Sequence, residues 1–536
     1  MRKALLLTLL FFSLSLWSGV RTESKMRKIA ASKLLGSAGE AARLKIIKST
    51  PSYYIYGKGD QGFVVVSTDD DATPVLGYSS SEYIEEDMPP AFKCWLKAIE
   101  ASSFRQELNV AYQVVPNFLT TTWGQSDPFN YLCPEIDGTK TPTGCVATAM
   151  GQIMYYYQYP VQGTGQGYYT KGDAETVRYP DEINGVYQWN LMKPDYATIT
   201  VSDDERLAIA TLLKDIGLAA HMNYNVGGSG TFISDGALAF VNNFGYDANT
   251  TQYMLKSFYS NDEWNDVIYS ELAAGRPVLA GGSDPVNGGH AFIFSGVDED
   301  GKVYVNWGWN GKADGFYEIT ALNPGGILGS NTTMEFNFNN EIVYGLQPAQ
   351  SEPDESLRRS VWAGGEPFIA EYQKIRNWLK VKTSSLYNIC IYPFKGEIKL
   401  YCESTDGDDM KDKSYTFLDC TQEAVPSGYG YGEQVKTIKT TDLSPGRYYI
   451  YLVSQTTTET LPQKVRYPGG LYRFIMTKDE NGVLTVEDDE STGINSITQP
   501  LSNPNSSYLY DLQGRKVNDN TRPGIYIHNG RKIIKQ

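Results

Sequence analysis

Thr141-Pro-Thr-Gly-Cys145 runs directly into Val146-Ala-Thr-Ala-Met150-Gly-Gln-Ile-Met-Tyr-Tyr-Tyr157. Apolar residues at 146, 149, 150, 153, 154 and 157 follow the i, i+3, i+4 spacing of a helix with one buried face. Pro142 and Gly144 break whatever precedes it, so Cys145 stands at or just before the first helical turn. A helix start offers unpaired backbone N–H groups and the positive end of the dipole, and both favour thiolate over thiol. The thiolate is the nucleophilic form, which makes Cys145 a candidate catalytic residue. A small buried hydrophobe is the plainer alternative.

A cysteine nucleophile needs a base, and the chain has only three histidines. His528 lies in the last ten residues, between Ile527 and Asn529, where a terminal hairpin is expected. His221 follows the apolar run Ile216-Gly-Leu-Ala-Ala220 and reads as a hydrogen-bonded structural residue. His290 stands in Asn287-Gly-Gly-His-Ala-Phe-Ile-Phe-Ser-Gly296, with bare backbone before it and an apolar strand after it. A substrate chain can approach Gly288 and Gly289 closely. The distance from Cys145 along the chain falls within the papain-type Cys-to-His spacing.

Beyond His290 the sequence reads strand, turn, strand. Ala291–Val297 is followed by Asp300-Gly301, a two-residue hairpin signal, and by Val303-Tyr-Val-Asn-Trp-Gly-Trp309. A simple two-residue turn puts His290, Trp307 and Trp309 on one sheet face and points Asn306 the other way. A papain-type site wants an asparagine to orient the imidazole, which favours Asn306; the register favours Trp307 as the residue that shields the ring. A single bulge reverses the assignment, so both stand as candidates.

Gly144-Cys-Val-Ala-Thr-Ala149 with Gln152-Ile-Met154, Gly288-Gly-His-Ala-Phe292 and Val305-Asn-Trp-Gly-Trp309 resemble the signature blocks of the streptopain family of secreted cysteine peptidases. The resemblance implies a two-lobe, papain-like α+β catalytic domain and acyl transfer to Cys145 with His290 as base and then acid. It also implies an oxyanion hole made by the cysteine N–H and an upstream glutamine. Trp123-Gly-Gln125-Ser-Asp-Pro-Phe-Asn130 matches that block, so the role falls to Gln125, whose amide is a neutral donor. Catalytic candidates are therefore Cys145, His290, Gln125, Asn306 and Trp307, with Gly288, Gly289 and Trp309 as substrate-binding candidates. Two departures stand out. Gly151 replaces a usual alanine, at about 1 kcal/mol of helix stability. Ser283-Asp-Pro-Val286 borders the cleft with little likeness to the family, which weakens any transfer of its preference for apolar residues two before the scissile bond.

The chain of 536 residues has room for three or four domains, and its 39 tyrosines fit strand-rich extracellular modules. Net charge −15 and no basic stripe argue against a nucleic-acid partner. Residues 1–20 have the charged start, short apolar run and small-residue end of a secretory signal peptide. No other stretch is apolar enough to span a membrane, so no stable insertion is expected. The six cysteines (94, 133, 145, 390, 402 and 420) show no CxxC spacing, and with so few histidines no metal or other cofactor is expected. A disulfide among Cys390, Cys402 and Cys420 is possible in an oxidising compartment.

In chain order, residues 21–112 resemble the α+β inhibitory propeptide of streptopain-like zymogens: a helix over Lys25–Ile47, short strands at 53–56, 62–67 and 74–78, and a helix over Pro89–Leu108. Its removal point is expected between Ala101 and Pro116. The catalytic domain spans 113–349, with helices at 203–218, 235–244 and 261–274 and a glycine-rich rim loop, Gly227-Gly-Ser-Gly230. Helices first and antiparallel strands second suit the two-lobe layout. Residues 350–490 read as a β-sandwich-like accessory module, with strands at 388–392, 397–401, 447–453 and 471–476. Residues 491–536 form two small hairpins and resemble the C-terminal sorting domains that engage outer-membrane secretion machinery in Bacteroidetes.

The expected partners are thus protein or peptide substrates and the chain's own propeptide, and the expected location is secreted or cell-surface. Two other function classes share these residues: a surface adhesin or haem-capturing protein on an idle peptidase scaffold, and a transglutaminase-like acyl transferase. An intact Cys, His and Gln set favours hydrolysis.

Overall fold

The computed structural model describes residues 19–101, 113–172, 176–284, 288–319, 338–373, 378–468 and 470–489, and four short strands beyond residue 508. Six helices are described: α1 (Glu23–Leu35), α2 (Pro90–Ala101), α3 (Cys145–Tyr157), α4 (Asp203–Ala219), α5 (Ile233–Phe244) and α6 (Asn261–Ala273). Capping boxes start two of them, Ser202 with Glu205 and Ser260 with Glu263. The helix expected over 25–47 stops at Leu35. Gly36 takes the left-handed conformation (φ 73°) that terminates helices, and Lys45–Ser49 turns to strand.

One ten-stranded, wholly antiparallel sheet carries the site. Its strands are β1 (Lys45–Ser49), β2 (Tyr53–Gly57), β3 (Phe63–Ser67), β4 (Val75–Ser79), β5 (Gln252–Leu255), β6 (Val278–Asp284), β7 (Gly288–Val297), β8 (Val303–Asn306), β9 (Gly315–Tyr317) and β10 (Phe338–Tyr344). The spatial order is β1-β2-β3-β4-β9-β8-β7-β6-β10-β5. The four N-terminal strands therefore extend the sheet of the central domain through β4 and β9, with Gly77 opposite Tyr317 and Ser79 opposite Gly315. One face of the sheet (Leu279, Ala291, Ile293, Val343) joins the core under α3, α4 and α5. The other (Val278, Phe292, Phe294, Val305, Trp307) packs with α2 and α6.

The β7–β8 turn differs from the two-residue form. Asp298 N donates to Lys302 O and Gly301, at φ 77°, donates to Asp298 O, which makes a three-residue loop. A bulge then separates the pair Val297–Val303 from Phe294–Val305 and Ile293–Asn306. The two shifts cancel in parity, so Trp307 stays in phase with Phe292 and His290, and Asn306 with Ile293.

Residues from 362 to 488 form smaller sheets around a separate core that includes Trp362, Leu400, Tyr448 and Met476. The strand expected at 388–392 lies at Leu386–Asn388 instead. This module abuts the central domain: Phe258 meets Tyr387, and Arg466 pairs with Glu263 at 2.6 Å while lying over the Tyr259 ring. All six cysteines are free, so the disulfide considered among Cys390, Cys402 and Cys420 does not form; all three are buried apart as thiols. The C-terminal segments Leu509–Tyr510, Lys516–Val517, Gly524–His528 and Arg531–Lys535 make one four-stranded antiparallel sheet. Among the described residues no helix is long and apolar enough to cross a membrane.

Candidate active site

Cys145 is the first residue of α3, and its side chain is half-buried. Gly144 before it adopts φ 88°, and a Cβ there would lie 2.7 Å from Met222 Sδ and 3.1 Å from the Ser229 carbonyl. Only glycine lets the chain enter the helix at this point. Ser229, in the glycine-rich loop, donates to Pro142 O at 2.7 Å and so pins that loop beside the cysteine.

The backbone N–H groups of Ala291, Val146 and Cys145 itself are near enough to the Cys145 sulfur to favour its charged form. The first belongs to the residue after His290, so β7 delivers the histidine backbone to the mouth of α3. Burial is the larger influence on the thiol and pushes its pKa above the ordinary value, while the three donors pull it down. The thiolate expected from the helix start is therefore not favoured in this closed arrangement. His290 is half-buried.

Gln125 reaches the same place through its neighbours. Its carbonyl accepts from Thr143 N at 3.1 Å, and the Gly124 carbonyl accepts from Thr148 Oγ1 on α3 at 3.2 Å. The glutamine thus lies alongside the strand of chain two residues before Cys145.

Asn306 does something else. Its amide nitrogen donates to Thr121 O (2.7 Å) and Gln152 Oε1 (3.0 Å); its oxygen accepts from Gln152 Nε2 (3.1 Å) and Gly308 N (3.0 Å). Both donors and both acceptor positions are used, which leaves none for the imidazole. The expectation that Asn306 orients His290 is corrected on that ground: it ties β8 to α3. Gln152 is fully buried on the apolar face of the helix, and a glutamine at such a position is the signal in the sequence for this amide pair. Replacing Asn306 with alanine strands several buried polar groups. The expected loss is about 2–4 kcal/mol in urea unfolding.

Trp307 is buried on the face it shares with Phe292, 5.2 Å between ring centroids, and its backbone N–H donates to Asp314 Oδ1 at 2.8 Å. Trp309 lies beyond the end of β8 in a turn and is partly exposed. Gly288 and Gly289 open β7 opposite Asp284 and Ser283. Gly151 has a packing reason: a Cβ there would come within 2.7 Å of Leu213 Cδ2 on α4. The helix propensity lost is thus exchanged for close helix contact. His221 stacks on Tyr168 at 4.2 Å.

The N-terminal region covers the other side of the sheet. Trp95 is fully buried, stacks on Phe92, lies 4.8 Å from the Tyr317 ring and donates Nε1–H to Glu318 O at 3.1 Å. Phe92 touches Trp307 edge-on at 6.1 Å. Ser79 Oγ donates to Asp314 O, and Lys33 reaches Asp298 (3.4 Å) and Asp300 (3.5 Å) on the β7–β8 turn. Burial pushes the Asp314 carboxyl up to about 7 against the pull of the Trp307 N–H.

The sequence matches the Peptidase C10 family over residues 123–317 and the Spi protease inhibitor family over residues 18–102. It is 30% identical over 356 residues to streptopain of Streptococcus pyogenes, covering 60% of this chain and 89% of that protein. It is 30% identical over 327 residues to the thiol protease/hemagglutinin PrtT of Porphyromonas gingivalis, but there the match spans only 37% of the relative's length. Among solved structures it is similar to a fragment of prointerpain A from Prevotella intermedia. That match has 35% identity and a TM-score of 0.50 over 58% of this chain and 99% of that one. The chain belongs to the peptidase C10 family of cysteine peptidases and carries, ahead of the peptidase, an inhibitor-type propeptide domain.

Proposed function

We propose that the chain is the zymogen of a secreted cysteine endopeptidase, with Cys145 as nucleophile, His290 as general base and acid, and Gln125 as oxyanion donor. The observation that supports this most is the Cys145 sulfur lying against the N–H of the residue next to His290, with Gln125 held beside it. In this reading Cys145 gives its proton to His290 and Sγ attacks the peptide carbonyl carbon. The oxyanion is received by the Cys145 N–H and the Gln125 amide. The imidazolium returns the proton to the leaving amine as the C–N bond breaks, leaving a thioester. Water, deprotonated by His290, then releases the acid and the thiol. Trp307 shields the site rather than bonding the imidazole.

Residues 21–112 act as the inhibitory propeptide, removed between Ala101 and Pro116. Residues 1–20 direct secretion, and 491–536 engage the outer-membrane export machinery; deleting 491–536 should block export. The processed protein should hydrolyse casein under reducing conditions and lose that activity to a thiol alkylator. Absence of hydrolysis favours the adhesin reading, and amine incorporation without cleavage favours the acyl transferase.

Latency should depend on pH through Asp314, which sits beneath the docked β4. Once the propeptide leaves, the carboxyl meets water and its pKa falls toward the ordinary 3.8 from about 7. A group whose pKa is raised in the docked state favours docking fully below its free value, and that contribution fades as pH rises through 7. Propeptide dissociation should therefore rise roughly tenfold per pH unit between about 4 and 7 and level off above. Asp314→Asn should flatten the profile.

A further inference from the structure

Departure of the propeptide strips β1 to β4 from the sheet and leaves the order β9-β8-β7-β6-β10-β5. At one end, β5 has the accessory module against it: Leu255 and Phe258 share a core with Ala363 and Tyr387. At the other end, β9 loses the strand that pairs with it. Tyr317 on β9 loses α2 as well, since Phe92 and Trp95 pack edge-on against its ring. An open edge beside a bared aromatic face is a template for another strand.

The groups that β9 holds out to β4 define what that strand is. Glu318 N donates to Leu76 O at 2.9 Å, and the Asp314 carbonyl accepts from Ser79 Oγ at 2.6 Å. Alternation turns the N–H and C=O of Phe316, midway between them, to the same side. An antiparallel copy of β9 centred on Phe316 answers all of these groups. Phe316 exchanges both hydrogen bonds with the partner's Phe316, and Glu318 N–H meets the carbonyl of the partner's Asp314. The side chains agree. Tyr317 needs glycine opposite, because a Cβ on Gly77 would run into Tyr317 Cδ1. In the self-paired register the partner's Gly315 takes that place, and symmetry repeats the fit. On the other face Phe316 lies 5.1 Å from the Tyr304 ring and 5.5 Å from Tyr78. The partner's Phe316 continues that ladder where Tyr78 leaves it.

We propose that the processed chain forms a twofold dimer through β9, a second copy replacing β4 and closing the edge to the propeptide's return. This rests on the reading that residues 21–112 leave after cleavage. The zymogen, with the same edge occupied by β4, does not pair through it.

The test compares full-length zymogen, as Cys145→Ala, with processed protein alkylated at Cys145, by light scattering on a sizing column across a dilution series. The zymogen should have the mass of one chain and the processed protein twice the mass of one processed chain. Phe316→Lys and Phe316→Glu each set like charges against one another on the twofold axis, and each should be monomeric after processing. Mixed in equal amounts, the two variants should recover the dimer, a result that misfolding cannot give. A processed chain that is monomeric and free of propeptide, or a dimer indifferent to both variants, overturns the pairing alone. Cleaved propeptide still bound in the same peak overturns its departure, and the pairing with it.

Discussion

Cys145→Ala should leave a folded zymogen that neither processes itself nor cleaves casein, with hydrolysis lower by about 10⁴-fold or more, as when a nucleophile that works as a unit with its base is lost. The fold should survive because alanine is the best helix former and stands here at the first residue of α3. The backbone N–H groups that face Sγ can be satisfied by a water in its place. A thermal midpoint within a few degrees of the parent separates lost chemistry from lost structure. Residual casein cleavage above a hundredth of the parent rate would assign the nucleophile elsewhere.

Trp95→Ala should break latency. The indole is the centre of the contact between α2 and the sheet: it stacks on Phe92, meets Tyr317 at 4.8 Å and bonds the Glu318 carbonyl. Even the absent side chain of Gly77 is part of the fit, since a Cβ there would lie 2.9 Å from Trp95 Cη2. Truncating a buried tryptophan costs about 3–5 kcal/mol. Some of that falls on the propeptide's own packing, so docking should weaken by roughly 10²–10³-fold. The intact chain should then show small-peptide hydrolysis without prior cleavage. A Trp95→Ala chain as silent as the parent would place the latch elsewhere, with the β4–β9 pairing as the next suspect.

The two ends of the site are legible in the sequence for different reasons. Cys145 announces itself by local chemistry, a helix start after Pro142 and Gly144. His290 does so by scarcity and by its two glycines. The alternation rule also places Asn306 and Trp307 on the correct faces, although the turn is not the simple one it assumes. A three-residue loop and a bulge each shift the register by one, and the errors cancel. What alternation does not tell is where the far side of the sheet binds. Asn306 has a free amide on paper and none in the fold, because Gln152 and Thr121 come from elements 154 and 185 residues away. The helix over 25–47 fails at Gly36, where helical spacing in a basic run conceals a glycine stop and a strand. The joining of β4 to β9 pairs residues more than 200 positions apart and leaves no local trace. Asp314 escapes notice for the same reason: Ser79, 235 positions away, donates to its backbone carbonyl and pairs with its neighbour Gly315.

If one imidazole primes one thiol, the rate of iodoacetamide uptake at Cys145 must depend on His290. Peptide mapping should follow uptake in processed protein from pH 4 to 9, in the parent and in His290→Ala. Cys145 should label rapidly in the parent down to well below pH 8. In His290→Ala labelling should be slow and climb only near the ordinary thiol pKa of about 8.5. Superimposable profiles for the two proteins would show that the imidazole does not prime the thiol.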